Sequence, residues 1–156
     1  MELYLSIGSN LGDRAGRIAD AIKALEAYLK IPCACSEIME FPSWGFSGGD
    51  FLNCMVRFDL PETGTCPQLF LTALLREIKS IEKAAGRDGT IEINADGSRI
   101  YHDRPIDIDI IFYGSERVNT DYLTVPHPLA GVRNFVLEPL RQVASEKLKS
   151  DFPFYF

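Results

Sequence analysis

The sequence predicts an α+β fold: an antiparallel sheet with helices packed on one face. Three observations predict it. Residues 2–8, 51–60 and 106–112 alternate apolar and other side chains with a period of two, as strands with one buried face do. Residues 14–30 and 65–85 instead repeat apolar side chains at helical spacing. The order of these stretches, with a weak strand at 33–41, reads β-α-β-β-α-β. That is the split-βαβ, ferredoxin-like pattern, here followed by C-terminal additions. Such a sheet leaves its second face open for a site.

In the first strand Leu3, Leu5 and Ile7 face one way, and Glu2, Tyr4 and Ser6 the other. Residues 8–13, Gly-Ser-Asn-Leu-Gly-Asp, then turn the chain. Two glycines and Asn10 are expected to supply unusual backbone angles, and Asp13 to cap the next helix. The turn lacks the lysine of a phosphate-binding loop, so taken alone it reads as structural. Ile18, Ile22, Leu25 and Leu29 form the buried stripe of the first helix, and Pro32 is expected to stop it. Residues 42–49 form a glycine-bearing loop with Trp44 and Phe46, which suits either a ligand lid or the edge of the core.

On the strand at 51–60, Leu52, Cys54, Val56, Phe58 and Leu60 face the core, and Phe51, Asn53, Met55 and Arg57 face away. A ring beside an amide suits a flat heteroaromatic ligand. Leu71, Leu74, Leu75, Ile78 and Ile81 make the buried stripe of the second helix, with Lys79 and Glu82 together off it. Gly86 is placed to end that helix. Arg87-Asp88-Gly89 opens a polar stretch that runs to Asp103 without a core pattern. After the strand at 106–112, residues 123–128 are extended, because residues before proline avoid helix. Arg133, Asn134 and Phe135 are read as loop, with a short helix from about Pro139. The tail, 151–156, is strongly aromatic and is expected to pack on the domain or on a second subunit.

At 156 residues, 46% hydrophobic and 24% charged, the chain is expected to form one globular domain over 1–156. No apolar run is long enough to span a membrane, and no signal peptide is expected at the N-terminus. The net charge of −6 argues against nonspecific nucleic-acid binding. Four cysteines and two histidines lack zinc-site spacing, so reduced thiols and a cytoplasmic location are expected.

The chemistry centres on residues 104–110, Arg-Pro-Ile-Asp-Ile-Asp-Ile. Ile106, Ile108, Ile110 and Phe112 share one strand face, and Asp107 and Asp109 the other. Carboxylates at i and i+2 stand roughly 7 Å apart at Cα, a spacing that can clamp two metal ions. Alone, such a pair reads as a solvated strand face. Arg104 before it and His127 after it favour a site instead.

Five blocks together resemble the 6-hydroxymethyl-7,8-dihydropterin pyrophosphokinase family of folate biosynthesis. They are residues 7–13, 51–53, 104–110, 123–127 and 133–135, in the family's order. The resemblance implies a ferredoxin-like fold and transfer of the β,γ-diphosphate of ATP to the pterin hydroxymethyl group, with AMP released. It implies that Asp107 and Asp109 hold two Mg2+ ions, with Arg87 and Arg104 as further catalytic residues. It places Pro42, Trp44, Phe51, Asn53 and Phe135 at the pterin. It places Lys79, Glu82, Arg87, Tyr101, Arg104, Ile110, Thr124, His127 and Arg133 at ATP. Departures are Tyr101 where the family often has Trp, Tyr122 where some members have Arg, Lys79 for a frequent Gln, and Phe41 for a small polar residue. A role for Arg99 in the longer loop stays open. A monomer is expected, with a dimer as the alternative. Two rival readings are another two-metal nucleotidyl or phosphoryl transferase on such a core, and a non-catalytic small-molecule-binding domain. The first leaves Phe51, Asn53 and Phe135 unexplained, and the second has no need of the acid pair.

Overall fold

The computed structural model describes residues 1–87 and 91–156; Asp88 and Gly89, read above as part of a loop, lie outside the described residues. The chain begins in strand β1 (Glu2–Ser9) and helix α1 (Arg14–Leu29). Two short strands, β2 (Ala34–Cys35) and β3 (Met39–Phe41), lead to the long strand β4 (Phe51–Asp59) and helix α2 (Pro67–Ala84). A small hairpin of β5 (Glu92–Ile93) and β6 (Arg99–Ile100) precedes β7 (Asp107–Tyr113). A second ribbon, β8 (Val118–Asn119) and β9 (Thr124–Val125), is followed by helices α3 (Asn134–Val143) and α4 (Glu146–Asp151). The main sheet is antiparallel, in the order β2-β4-β1-β7, with β3 also paired to β4. The weak strand at 33–41 is thus real but split in two. The stretch to Asp103, read as patternless, holds the β5–β6 hairpin.

The sheet is covered on both faces, where the sequence reading expected helices on one. On the first face Leu3, Leu5, Ile7, Cys54, Val56 and Phe58 pack with Ile18 and Leu25 of α1 and Leu71, Leu74 and Ile78 of α2. On the second, Tyr4, Met55, Ile111 and Phe112 pack with Val136, Leu140, Val143, Leu148 and Phe152. Tyr4 is therefore fully buried, and β1 is not a half-exposed strand. The cause lies in α3. It begins at Asn134, with Pro139 inside it, whereas an interior proline normally marks a helix boundary. Burial of Val136, Pro139, Leu140 and Val143 outweighs that penalty.

Phe112 lies on the opposite face from the one its alternation predicted. Tyr4 pairs with Phe112 but Leu5 pairs with Ile110, so β7 carries Ile111 as an extra residue. Such a bulge resets the face of every later side chain. The carbonyl of Ile111 accepts the backbone N–H of His127 at 3.1 Å, which seats that residue beside β7.

Asp13 caps α1 by accepting the Gly16 N–H at 3.1 Å. The helix closes at Lys30, which takes the left-handed conformation at φ 60° two residues before Pro32. In the turn at 8–13, only Gly12 has a positive φ, 74°. Asn10 is there for its side chain instead.

Candidate active site

Where β4 and β7 begin, beside the first turn of α3, the second face of the sheet opens into a cavity of about 260 Å³. Pro42, Trp44, Phe46, Phe51, Asn53 and Phe135 supply its aromatic and amide lining, and Asp107 and Asp109 its acids. Arg99, Tyr101, Arg104, His127 and Arg133 complete it. All five residues expected at the pterin line this one cavity. An adjoining cavity, also about 260 Å³, is lined by Arg87 and His102 and shares Arg99 and Arg104 with the first.

Of the residues expected at ATP, Tyr101, Arg104, His127 and Arg133 line the first cavity and Arg87 the second. Lys79 is exposed on α2, Thr124 lies on β9, and Ile110 is buried in the core under α1 and α2. None of these three lines either cavity. Glu82, read as lying with Lys79 off the buried stripe and placed at ATP by the resemblance, is buried and lines neither cavity. Its carboxylate accepts the Ile108 N–H at 3.0 Å and pairs with Arg87. Burial raises its pKa, and Arg87 opposes that shift. Glu82 thus bolts α2 and Arg87 to the strand that carries the acids.

The two acids stand in different fields. Arg87 and Arg104 both reach Asp107 Oδ1, at 2.8 and 3.0 Å. Burial opposes the charged form of Asp107, but the two guanidinium groups outweigh it and lower its pKa. Among the described residues the nearest cation to Asp109 is Arg133, at 3.9 Å, and His127 Nε2 lies at 4.0 Å. Burial, and then the charge of Asp107, push Asp109 up to about 7. A cation set beside Asp109 would relieve that penalty.

His127 is neutral, because burial and then Arg133 lower its pKa to about 4. Its Nδ1 accepts the Leu129 N–H at 3.1 Å, so the ring proton sits on Nε2 and faces Asp109. The Arg133 guanidinium lies 4.7 Å from the Trp44 ring centre and 5.4 Å from that of Phe135. Tyr101 lies between Arg99 and Arg104 in the same way, at 5.3 and 5.5 Å.

The amide nitrogen of Asn53 is buried with no partner among the described residues, and its side chain lines the cavity. Such an orphan donor calls for a ligand acceptor. Gly8 makes room for it, since a Cβ there would collide with Asn53 Oδ1. The sequence reading missed the side-chain role of Asn10 and the contact of Gly8 with Asn53. It named Phe46 and Arg99 without assigning them. The block at residues 7–13 carries the signal, but within it Gly8 and Asn10 read as turn formers.

Known proteins resemble the chain over nearly its whole length. The family profile of 7,8-dihydro-6-hydroxymethylpterin-pyrophosphokinase matches residues 4–145. A 2-amino-4-hydroxy-6-hydroxymethyldihydropteridine pyrophosphokinase of Aquifex aeolicus is 37% identical over 142 residues, 90% of this chain and 79% of its own. The protein of the same name from Porphyromonas gingivalis is 35% identical over 144 residues, 91% of this chain and 90% of its own. A mitochondrial folate synthesis bifunctional protein of Pisum sativum is 37% identical over 151 residues, 96% of this chain but 26% of its own.

Proposed function

The chain belongs to the 7,8-dihydro-6-hydroxymethylpterin-pyrophosphokinase family, diphosphate-transferring enzymes of folate biosynthesis, and from that premise we propose how its own residues carry the reaction. ATP is the donor and 6-hydroxymethyl-7,8-dihydropterin the acceptor. The pterin lies between Phe51 and Phe135, with its hydrogen-bonding edge on the orphan amide of Asn53. That orphan amide, lining one cavity with two phenyl rings and an acid pair, is the observation that carries the assignment.

Asp107 and Asp109 would hold two magnesium ions. The fit rests on Asp109, whose nearest cation among the described residues is Arg133 at 3.9 Å, and on the hard oxygen ligands that magnesium takes. Among the described residues no third acidic, histidine or cysteine ligand joins them, so the other ligands would be phosphate oxygens and water. Bound there, the ions neutralise phosphate charge and lower the pKa of the attacking hydroxyl. The pterin hydroxymethyl oxygen attacks the β-phosphorus, its proton is released, the bond to the α-phosphate oxygen breaks, and AMP leaves. Arg87 and Arg104 meet the phosphoryl oxygens as charge spreads over them. Neutral His127 offers its Nε2–H, and Arg133 its guanidinium, to the nucleotide.

The strand order β2-β4-β1-β7 supports the ferredoxin-like reading of the core, with α3 and α4 as additions to it. We read residues 1–156 as one domain, acting as a monomer in the cytoplasm. The test is AMP release from magnesium ATP with and without the hydroxymethyl-dihydropterin. AMP should appear only with the pterin. Release that ignores the pterin, or no release with it, overturns the assignment.

A further inference from the structure

Asn10 is buried, 7% exposed, at the end of β1, and its carboxamide joins three segments. Its Oδ1 accepts the backbone N–H of Arg104 at 2.6 Å, and its own N–H donates to the Arg104 carbonyl at 3.1 Å. Its Nδ2 donates to Asp103 Oδ1 at 2.7 Å and to the Gly49 carbonyl at 3.1 Å. Asp103 Oδ1 also accepts the Gly49 N–H at 3.3 Å. Arg104 is thereby gripped at both backbone groups, while its guanidinium holds Asp107. Gly49 ends the segment that carries Trp44 and Phe46 over the cavity. Only an asparagine offers an acceptor and two donors from so short a side chain.

We propose that Asn10, acting with Asp103, is a positioning residue that couples the aromatic segment 42–50 to Arg104, so that closure on the pterin and placement of Arg104 on the phosphates are one event. This rests on the diphosphate-transfer reading of the cavity. If two ligands bias one linked element, each strengthens the other's binding by the same factor. The structure thus assigns to this link a coupling between the pterin and nucleotide sites, read as the ratio of pterin affinities with and without nucleotide.

The test uses Asn10→Asp, Asp103→Ala, Asp103→Asn and the double variant Asn10→Asp/Asp103→Ala in the full chain. Asn10→Asp keeps the acceptor for Arg104 but turns the donors into an oxygen facing Asp103 and the Gly49 carbonyl. Asp103→Asn keeps an oxygen that both donors can reach. Asn10→Asp and Asp103→Ala should each lower kcat by about tenfold or more, and KM for each substrate, measured at saturation of the other, should rise by no more than the coupling factor lost. The coupling factor, measured by calorimetry with magnesium and a non-hydrolysable ATP analogue, should fall below about twofold in both. The double variant should be no worse than Asn10→Asp, because both changes break one link. Asp103→Asn should stay within about threefold of wild type.

Unchanged kcat in Asn10→Asp and Asp103→Ala overturns the proposal. So do additive losses, an intact coupling factor, or an Asp103→Asn as damaged as Asp103→Ala. If Asn10→Asp does not fold, the pair at exposed Asp103 decides the matter. If the wild-type chain releases no AMP, the assigned reaction fails, and hydrogen exchange of the free proteins still judges the link. Amides 43–48 should then exchange about tenfold faster in Asp103→Ala than in wild type and Asp103→Asn. Equal exchange rejects it.

Discussion

At Gly8 a single hydrogen in place of a side chain leaves space for the amide that reads the ligand. A methyl group there would drive Asn53 from its place, and Gly8 has an ordinary φ, so the cost is one of contact alone. Gly8→Ala should therefore weaken pterin binding by about 1–3 kcal/mol, roughly ten- to a hundredfold, with ATP affinity little changed. Calorimetry with each ligand checks this, and equal weakening of both would place the pterin elsewhere. Asp109→Ala should lower turnover roughly a hundredfold or more, because charge stabilisation at the phosphates is lost. Its melting temperature should not fall, since the change removes a half-buried carboxylate repelled by Asp107. A large drop in the circular-dichroism melt would mean that Asp109 is a structural residue. Gly8 reads in the sequence only as a turn former; Asp109 was legible as a site member from its i, i+2 spacing with Asp107 and from Arg104 and His127 around it. Glu82 was not. Its burial comes from Ile108 and Arg87 on other elements, and nothing in its own helix signals that.

Among the elements, the loop at 42–50 and the segment at 91–103 carry the side chains that roof the two cavities. Both consist largely of exposed residues, and the β5–β6 pairing is two residues long. Local stability there is low, whereas β1 and β4 are buried. Amides 43–48 and 92–98 should exchange quickly in the free chain and become protected when pterin and a non-hydrolysable ATP analogue are both bound. No added protection with both ligands bound would end the closure picture. Arg99 rides on β6 and lines both cavities, so Arg99→Ala should lower kcat more than it weakens ATP binding. Steady-state kinetics beside calorimetry separates the two effects. The hairpin was hidden in the sequence because two-residue strands leave no periodic trace.

For the molecule as a whole, β1 belongs to two cores at once. Leu3, Leu5 and Ile7 face one, and Tyr4 faces the other. The layers should therefore melt together. Phe152 is 4% exposed and lies 5.0 Å from Phe112, ring centre to ring centre. Phe152→Ala should cost about 3–5 kcal/mol. For a chain of this length that lowers Tm by roughly 2–4 °C per kcal/mol. Far-ultraviolet circular dichroism and tyrosine fluorescence should still report one transition. A separate early transition for α3 and α4 would show that the second layer is an independent unit.

The sequence by itself determined the order of the core strands and helices, the acid pair on β7, and the ring-and-amide pair on β4. These follow from local backbone geometry: a period of two or of 3.6, and the fact that i and i+2 share a strand face. Tertiary structure alone decided the rest. It covered the second face with α3, because apolar burial overrode the helix-breaking tendency of Pro139. It moved Phe112 to that face through one extra residue in β7. It made Asn10 a junction through contacts with Gly49, Asp103 and Arg104, which lie 39, 93 and 94 residues away along the chain. Contacts over such separations are made by the folded chain as a whole, and no local pattern in a single sequence records them.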